Sequence, residues 1–261
     1  MKELLETFIV RIDPSHRFDH WQGGEPTDGN AVCPRCDQPL HLFWDIDASD
    51  PRFRSSSKQI AFGDLGRILL YWCVPCFTSL DYQLVNGKIN ILAADGRTGI
   101  RVEKKKRDPT FPYDSFPHSF ARRPIDLLNK SDLPTEVVNL LTETPIPKLT
   151  AAGKRMLEAY VGHTVSQRGF AVMRTWAHQF GGSPHLPQGD DTIVCCNKKC
   201  NSYNNRMYAI AAIHNDPPND LPIIETKDNV TAANGYFNFF VTLYFHMCAA
   251  CKSIHADSQG S

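Results

Sequence analysis

His20-Trp21-Gln22-Gly23-Gly24-Glu25-Pro26 and His178-Gln179-Phe180-Gly181-Gly182-Ser183-Pro184 share one pattern, H-x-x-G-G-x-P. Each copy is followed by a cysteine pair, an apolar run and a second cysteine pair. Behind the first stand Cys33 and Cys36, then Leu40–Asp47, then Cys73 and Cys76. Behind the second stand Cys195/Cys196 and Cys200, then Met207–Ile213, then Cys248 and Cys251. The common order reads as one ancestral unit used twice. Paired glycines supply backbone conformations closed to other residues, and proline fixes the exit direction. Each heptapeptide therefore reads as a tight turn that opens a unit.

Working outward, Cys33-Pro34-Arg35-Cys36 is a knuckle whose two-residue gap lets the backbone fold around one ion. In the run after it, Leu40, Leu42, Trp44 and Ile46 alternate, which predicts a half-buried strand with Asp45 and Asp47 on its solvated face. Asp50–Ser57 reads as a polar excursion. Ile68–Trp72 predicts a strand that delivers Cys73-Val74-Pro75-Cys76. Tyr82–Val85, Asn86-Gly87 and Lys88–Leu92 predict a hairpin, Asn-Gly being the preferred pair for a two-residue type I′ turn. Glu3–Arg11 is a short opening helix or strand. Ser131-Asp132-Leu133-Pro134-Thr135-Glu136 predicts a helix start running to about Thr142, and Thr150 opens another through Val161. Tyr236–His246 is the most strand-like segment and ends on Cys248.

These elements predict a β-rich α+β fold: two zinc-ribbon-bearing β units, 1–103 and 149–261, joined by a 104–148 connector with a basic run (Lys104–Arg107) and a short helix. At 261 residues the chain can bury a full core. Its 28 basic and 28 acidic side chains balance, which lacks the electrostatic excess of most nucleic-acid binders. No apolar run approaches a membrane helix, and Met1–Glu6 carries acids where a signal peptide needs a basic start. The expected setting is a reducing cytoplasm.

Nine cysteines in such a compartment point away from a disulfide framework. Close pairs staple a fold poorly but make good half-sites for a tetrahedral metal. The expected ligands are Cys33, Cys36, Cys73 and Cys76 for one zinc ion. Cys195, Cys200, Cys248 and Cys251 would hold a second, with Cys196 the alternative to Cys195. The gap between knuckles is longer than the usual ribbon, so the intervening residues are expected to form paired strands. His41, His214 and His246 could replace a sulfur but read more simply as strand residues. Four-cysteine sites are closed, structural sites with no position for an activating water.

Metalloprotease, phosphate-loop, nucleophile-elbow and dinucleotide motifs are all missing. Apart from the cysteines, His20 and His178 are the titratable groups repeated in equivalent places, and each reads as packing or hydrogen-bonding its own turn. Gly23, Gly24, Pro26, Gly181, Gly182 and Pro184 read as shaping backbone.

The run Gly23, Gly24, Pro26, Cys33, Cys36, Pro39, Leu40 and Leu70-Tyr71-Trp72-Cys73 resembles the YwqG-like domain of unknown function and its relative, programmed cell death protein 2. Gly181, Gly182, Pro184, Cys200, Met207 and Phe245-His246-Met247-Cys248 repeat the resemblance. The chain departs from the pattern at the irregular Cys195–Cys200 knuckle and at Asp37, where a glycine is expected. The resemblance implies a β-rich, duplicated, often zinc-bearing fold without established enzymatic activity. It also implies a protein-binding role of chaperone or antitoxin type. The first expectation is thus a non-enzymatic zinc protein that binds a protein partner. A nucleic-acid-binding zinc ribbon, using Lys104–Arg107, Arg122 and Arg123, comes second. An enzyme using His20 and His178 comes third.

Overall fold

The computed structural model describes residues 7–13, 17–26, 31–53, 62, 65–76, 78–94, 97–98, 118–142, 150–161, 178–182, 192–214 and 241–260. Its strands are β1 (Phe8–Ile12), β2 (Trp21–Gly24), β3 (His41–Asp47), β4 (Arg67–Trp72), β5 (Leu80–Val85), β6 (Lys88–Ala94) and β7 (Arg97–Thr98). They continue with β8 (Phe120–Asn129), β9 (Gln179–Phe180), β10 (Tyr208–His214), β11 (Val241–Met247) and β12 (Ser253–Gly260). Among the described residues two α-helices, α1 (Thr135–Thr142) and α2 (Ala151–Val161), lie between β8 and β9. All the strands join one sheet in the order β4-β3-β2-β8-β1-β9-β10-β11-β12-β5-β6-β7. The fold is β-rich α+β, as the strand patterns predict.

The sheet is built around the β1–β8 pair, where Arg11 faces Asp126. Moving outward from β8 come β2, β3 and β4; moving outward from β1 come β9, β10 and β11. The two arms match in register. Gln22 stands between Arg123 and Trp44, and Phe180 between Phe8 and Ala211. Each arm carries a bulge at the same place, between Leu42 and Trp44 on β3 and between Ala209 and Ala211 on β10. The arms exchange their leading strands. β1 precedes the first heptapeptide but pairs with the strand of the second, and β8 does the reverse. Strands from 1–103, 104–148 and 149–261 therefore alternate in one sheet, and β5 also pairs with β12.

Several expectations change. The heptapeptides are strands that run into a kink, because Trp21–Gly24 and Gln179–Phe180 both make ladder pairs. Left-handed glycines mark the kink: Gly23, at φ +67°, lies at the register shift between Gln22 and Gly24, and Gly182, at φ +64°, lies just beyond Phe180. A side chain on Gly23 would collide with the Ala121 carbonyl, and one on Gly182 with the Thr7 hydroxyl. β3 is buried on both faces, so Asp45 is covered and held 2.6 Å from Arg67. In the expected polar excursion, Asp50 and Phe53 are core residues, while 54–57 lies outside the described residues. The segment read as a connector contributes the central strand β8. Pro124 and its charged neighbours hid it, since proline argues against a central strand.

Other expectations stand. The Asn86-Gly87 turn has φ of +52° and +74°, as a type I′ turn requires, with Val85 opposite Lys88. Both helices occur where capping predicts, and Thr150 Oγ1 accepts the Gly153 N–H at 3.1 Å. Trp44, Trp72, Tyr71, Tyr82, Phe8, Phe43, Phe180 and Phe245 fill one core. Burial of each such ring is worth about 2–3 kcal/mol before chain entropy is counted. Tyr82 also closes the outer edge of β4: its hydroxyl accepts the Tyr71 N–H and donates to the Leu69 carbonyl, both at 2.9 Å.

Candidate metal centres

The first knuckle begins as the chain leaves β2. Val32 bridges Pro39, the Cys33 N–H donates to the Gln38 carbonyl, and the Asp37 N–H returns to the Cys33 carbonyl. That closure needs a left-handed residue, and Asp37 supplies it with φ +58°. Short polar side chains tolerate this region better than bulky ones, which is how the chain manages without the expected glycine. Antiparallel pairing of β3 with β4 places His41 opposite Trp72 and so carries Cys73 back to Cys36. Val74–Cys76 then turns as a short 3-10 helix.

The four sulfurs of Cys33, Cys36, Cys73 and Cys76 lie within 4.8 Å of one another. Cys33 Sγ is 3.8 Å from Cys76 Sγ, and Cys36 Sγ is 3.6 Å from Cys73 Sγ. A tetrahedron of ~2.3 Å metal–sulfur bonds has edges of about 3.8 Å, so the donors stand where one ion needs them. The Arg35 N–H points at Cys33 Sγ from 3.4 Å. Crowding also polarises the group: hydrogen bonds from Cys33 and the other thiols favour the Cys36 thiolate, while neighbouring sulfurs and burial hold the proton on Cys73. A divalent cation held by the four sulfurs would resolve that competition by favouring the thiolate form of each.

The second group comprises Cys195, Cys200, Cys248 and Cys251, again within 4.8 Å. Cys195 and Cys251 are 3.7 Å apart, Cys200 and Cys248 3.8 Å. Pairing of β10 with β11 sets Tyr208 opposite Met247 and brings the knuckles together. The paired strands expected between knuckles are present in both halves. The Cys195 N–H donates to the Asn205 carbonyl and the Asn204 N–H to the Cys195 carbonyl, with Asn204 at φ +62°. This is the Cys33 closure on a longer loop. Cys248 repeats it with Ser253 and with Lys252 at φ +59°.

Between the two adjacent cysteines, it is Cys195 whose sulfur joins the group. Cys196 faces elsewhere, and burial followed by the nearby Asp81 carboxylate pushes its thiol up to about 12. Ser253, which the sequence reading missed, puts its hydroxyl 3.2 Å from Cys251 Sγ and 3.6 Å from Cys195 Sγ. Burial opposes ionisation of Cys251, but the Ser253 hydrogen bonds outweigh it and bring the thiol down to about 7. His41 and His246 are buried strand residues outside both sulfur groups, and the His214 side chain lies outside the described ones.

His20 is fully buried. Its Nδ1 accepts the Asp47 N–H at 3.0 Å, which leaves the ring proton on Nε2, 2.9 Å from Asp50 Oδ2. Arg52 grips both oxygens of Asp50, sharing Oδ2 with His20, and reaches the Leu127 carbonyl. His20 thus ties the heptapeptide strand to the end of β3, in keeping with a structural histidine. The His178 carbonyl accepts the Val10 N–H, as the His20 carbonyl accepts that of Ile125. Its ring meets Trp44 edge-on. Pro26 is half-buried, and Pro184 lies outside the described residues. Among the described residues no helix is long and apolar enough to cross a membrane.

The donor sets fit a metal, all sulfur and two by two at tetrahedral spacing. Comparison with protein-family models, with curated proteins and with solved structures finds no match for the chain.

Proposed function

We propose that this is a non-enzymatic, zinc-stabilised, internally duplicated protein of YwqG-like type that binds a protein partner in the cytoplasm. The observation that carries the reading is the pair of all-cysteine groups at tetrahedral spacing. Four thiolates favour zinc over harder ions and leave it no open position, so each ion would clip strands together without handling a substrate. Matching register and bulges in the two arms support duplication. His20, with both ring nitrogens engaged and no exposed face, suits an architectural role.

Elemental analysis of the purified protein tests the metal: two zinc ions per chain are expected, and none would defeat the reading. Partner binding is tested by affinity capture at near-physiological salt after nuclease treatment, so that a captured protein is held by the chain itself and its ionic contacts are not screened away. A second reading, nucleic-acid binding, draws on Arg122, exposed and stacked 4.2 Å over Trp21. It requires binding to RNA or DNA that weakens steeply with salt.

A further inference from the structure

The knuckle that begins at Cys195 closes with the same two hydrogen bonds as the one at Cys33. It runs from Cys195 to Asn204, however, where its counterpart runs only from Cys33 to Asp37. The added residues do not enlarge the core: from Cys196 to Arg206 every residue is half-buried or exposed. They nevertheless hold a defined shape. Cys200 N–H donates to the Asn197 carbonyl, Tyr203 N–H to Cys200, Asn205 N–H to Ser202, and Ser202 N–H to Cys200 Sγ. On this frame stand Lys198, Lys199 and Arg206, with no acid between Thr192 and Met207, on a chain whose total charge is zero. Tyr203 is 41% exposed, and Val194 at the foot of the loop is 40% exposed.

We propose that the Cys196–Arg206 loop is a docking surface for an acidic segment of a partner protein. Carboxylates of that segment meet Lys198, Lys199 and Arg206, and an apolar side chain packs on Tyr203 and Val194. Tyrosine and arginine carry a disproportionate share of interface energy. A loop already shaped by its cysteines and hydrogen bonds loses little freedom on binding. Single-stranded nucleic acid calls for a basic track with successive aromatic platforms. One exposed tyrosine and one exposed valine on the same loop suit a short peptide better. The proposal rests on the partner-binding reading above and names where that partner sits.

Fluorescence anisotropy on the full metal-loaded chain tests it. The probes are a labelled peptide of Asp and Glu around a central Leu, its Asn/Gln counterpart, and labelled oligothymidylate. The acidic peptide alone should bind. K198E/K199E should weaken it roughly tenfold or more, as reversal of interfacial charge does, and Tyr203→Ala should weaken it by several-fold. Both variants should keep the wild-type metal content. No binding of the acidic peptide, equal binding by wild type and K198E/K199E, or preference for oligothymidylate would overturn the proposal. Those results with full metal content sink the loop alone, whereas a wild-type chain without metal sinks the reading beneath it.

Discussion

Ser253 Oγ lies 3.2 Å from Cys251 Sγ and 3.6 Å from Cys195 Sγ, so one buried hydroxyl stands beside two sulfurs of the same group. In the first group the matching knuckle is Cys73–Cys76, where Thr78 stands two residues beyond the second cysteine, buried but with its hydroxyl making no hydrogen bond among the described residues. Hydrogen bonds from outside the ligand set typically change metal affinity by about 10–100-fold. Ser253→Ala should therefore weaken one metal equivalent by roughly tenfold and leave the other unchanged. Competition with a chromogenic chelator reads both equivalents. If neither moves, the hydroxyl has no part in holding the ion.

Loss of the two metals should have unequal consequences. Cys33 and Cys73 belong to the main core with Trp44 and Trp72, whereas Cys195 and Cys248 form a separate small cluster with Met207. A structural zinc contributes on the order of 10 kcal/mol, comparable with the whole net stability of a domain. Cys73→Ser should unfold the sheet. Cys248→Ser should release protection only around 192–207 and 248–253. Hydrogen exchange distinguishes the two, and equal, global loss in both variants would contradict the separation of the clusters.

Acid should strike the His20–Asp50 link in a defined window. Burial raises the Asp50 carboxyl, but hydrogen bonds from His20 and Arg52 outweigh it and hold the group at about 2, below the ordinary 3.8. A depressed carboxylate stabilises the fold above its unfolded value and loses that contribution as pH falls through its folded value. The contribution is on the order of 2 kcal/mol above pH ~4 and fades toward pH ~2. Urea unfolding of wild type and Asp50→Asn should show a gap of this order near neutrality that narrows in acid. A gap independent of pH would mean that packing, and not the charge, is what Asp50 supplies.

Tyr82→Phe isolates the edge of β4. It removes the hydroxyl that serves the Tyr71 N–H and the Leu69 carbonyl and leaves both groups buried. An unpaired buried polar group costs about 1–3 kcal/mol, so the variant should lose at least that much in thermal or denaturant unfolding. An unchanged midpoint would show that another group takes over the edge.

Local elements were legible wherever one segment's chemistry sufficed. Asn86-Gly87 predicts its turn because those residues accept positive φ. Thr150 predicts its helix start because its hydroxyl reaches Gly153. The cysteine pairs predict two four-sulfur groups because spacing controls which thiols can share an ion. Asp50, Ser253 and β8 were not legible. Asp50 reads as polar loop until Arg52 and His20 surround it. Ser253 looks like any residue after a knuckle until Cys195 arrives from far along the chain.

By itself, then, the sequence determined the β-rich character, the place of each knuckle and the two groups of cysteines, with Cys195 and Cys196 left as alternatives for one position. These follow from periodicity and from spacings of a few residues. Only the tertiary structure decided that β1 and β8 trade partners, that the heptapeptides enter the sheet before they kink, and that His20 is walled in. Each of these depends on pairs brought together across tens of residues, such as Gly24 opposite Phe120 and Phe8 opposite Phe180. No pattern within either strand records which other strand it will meet.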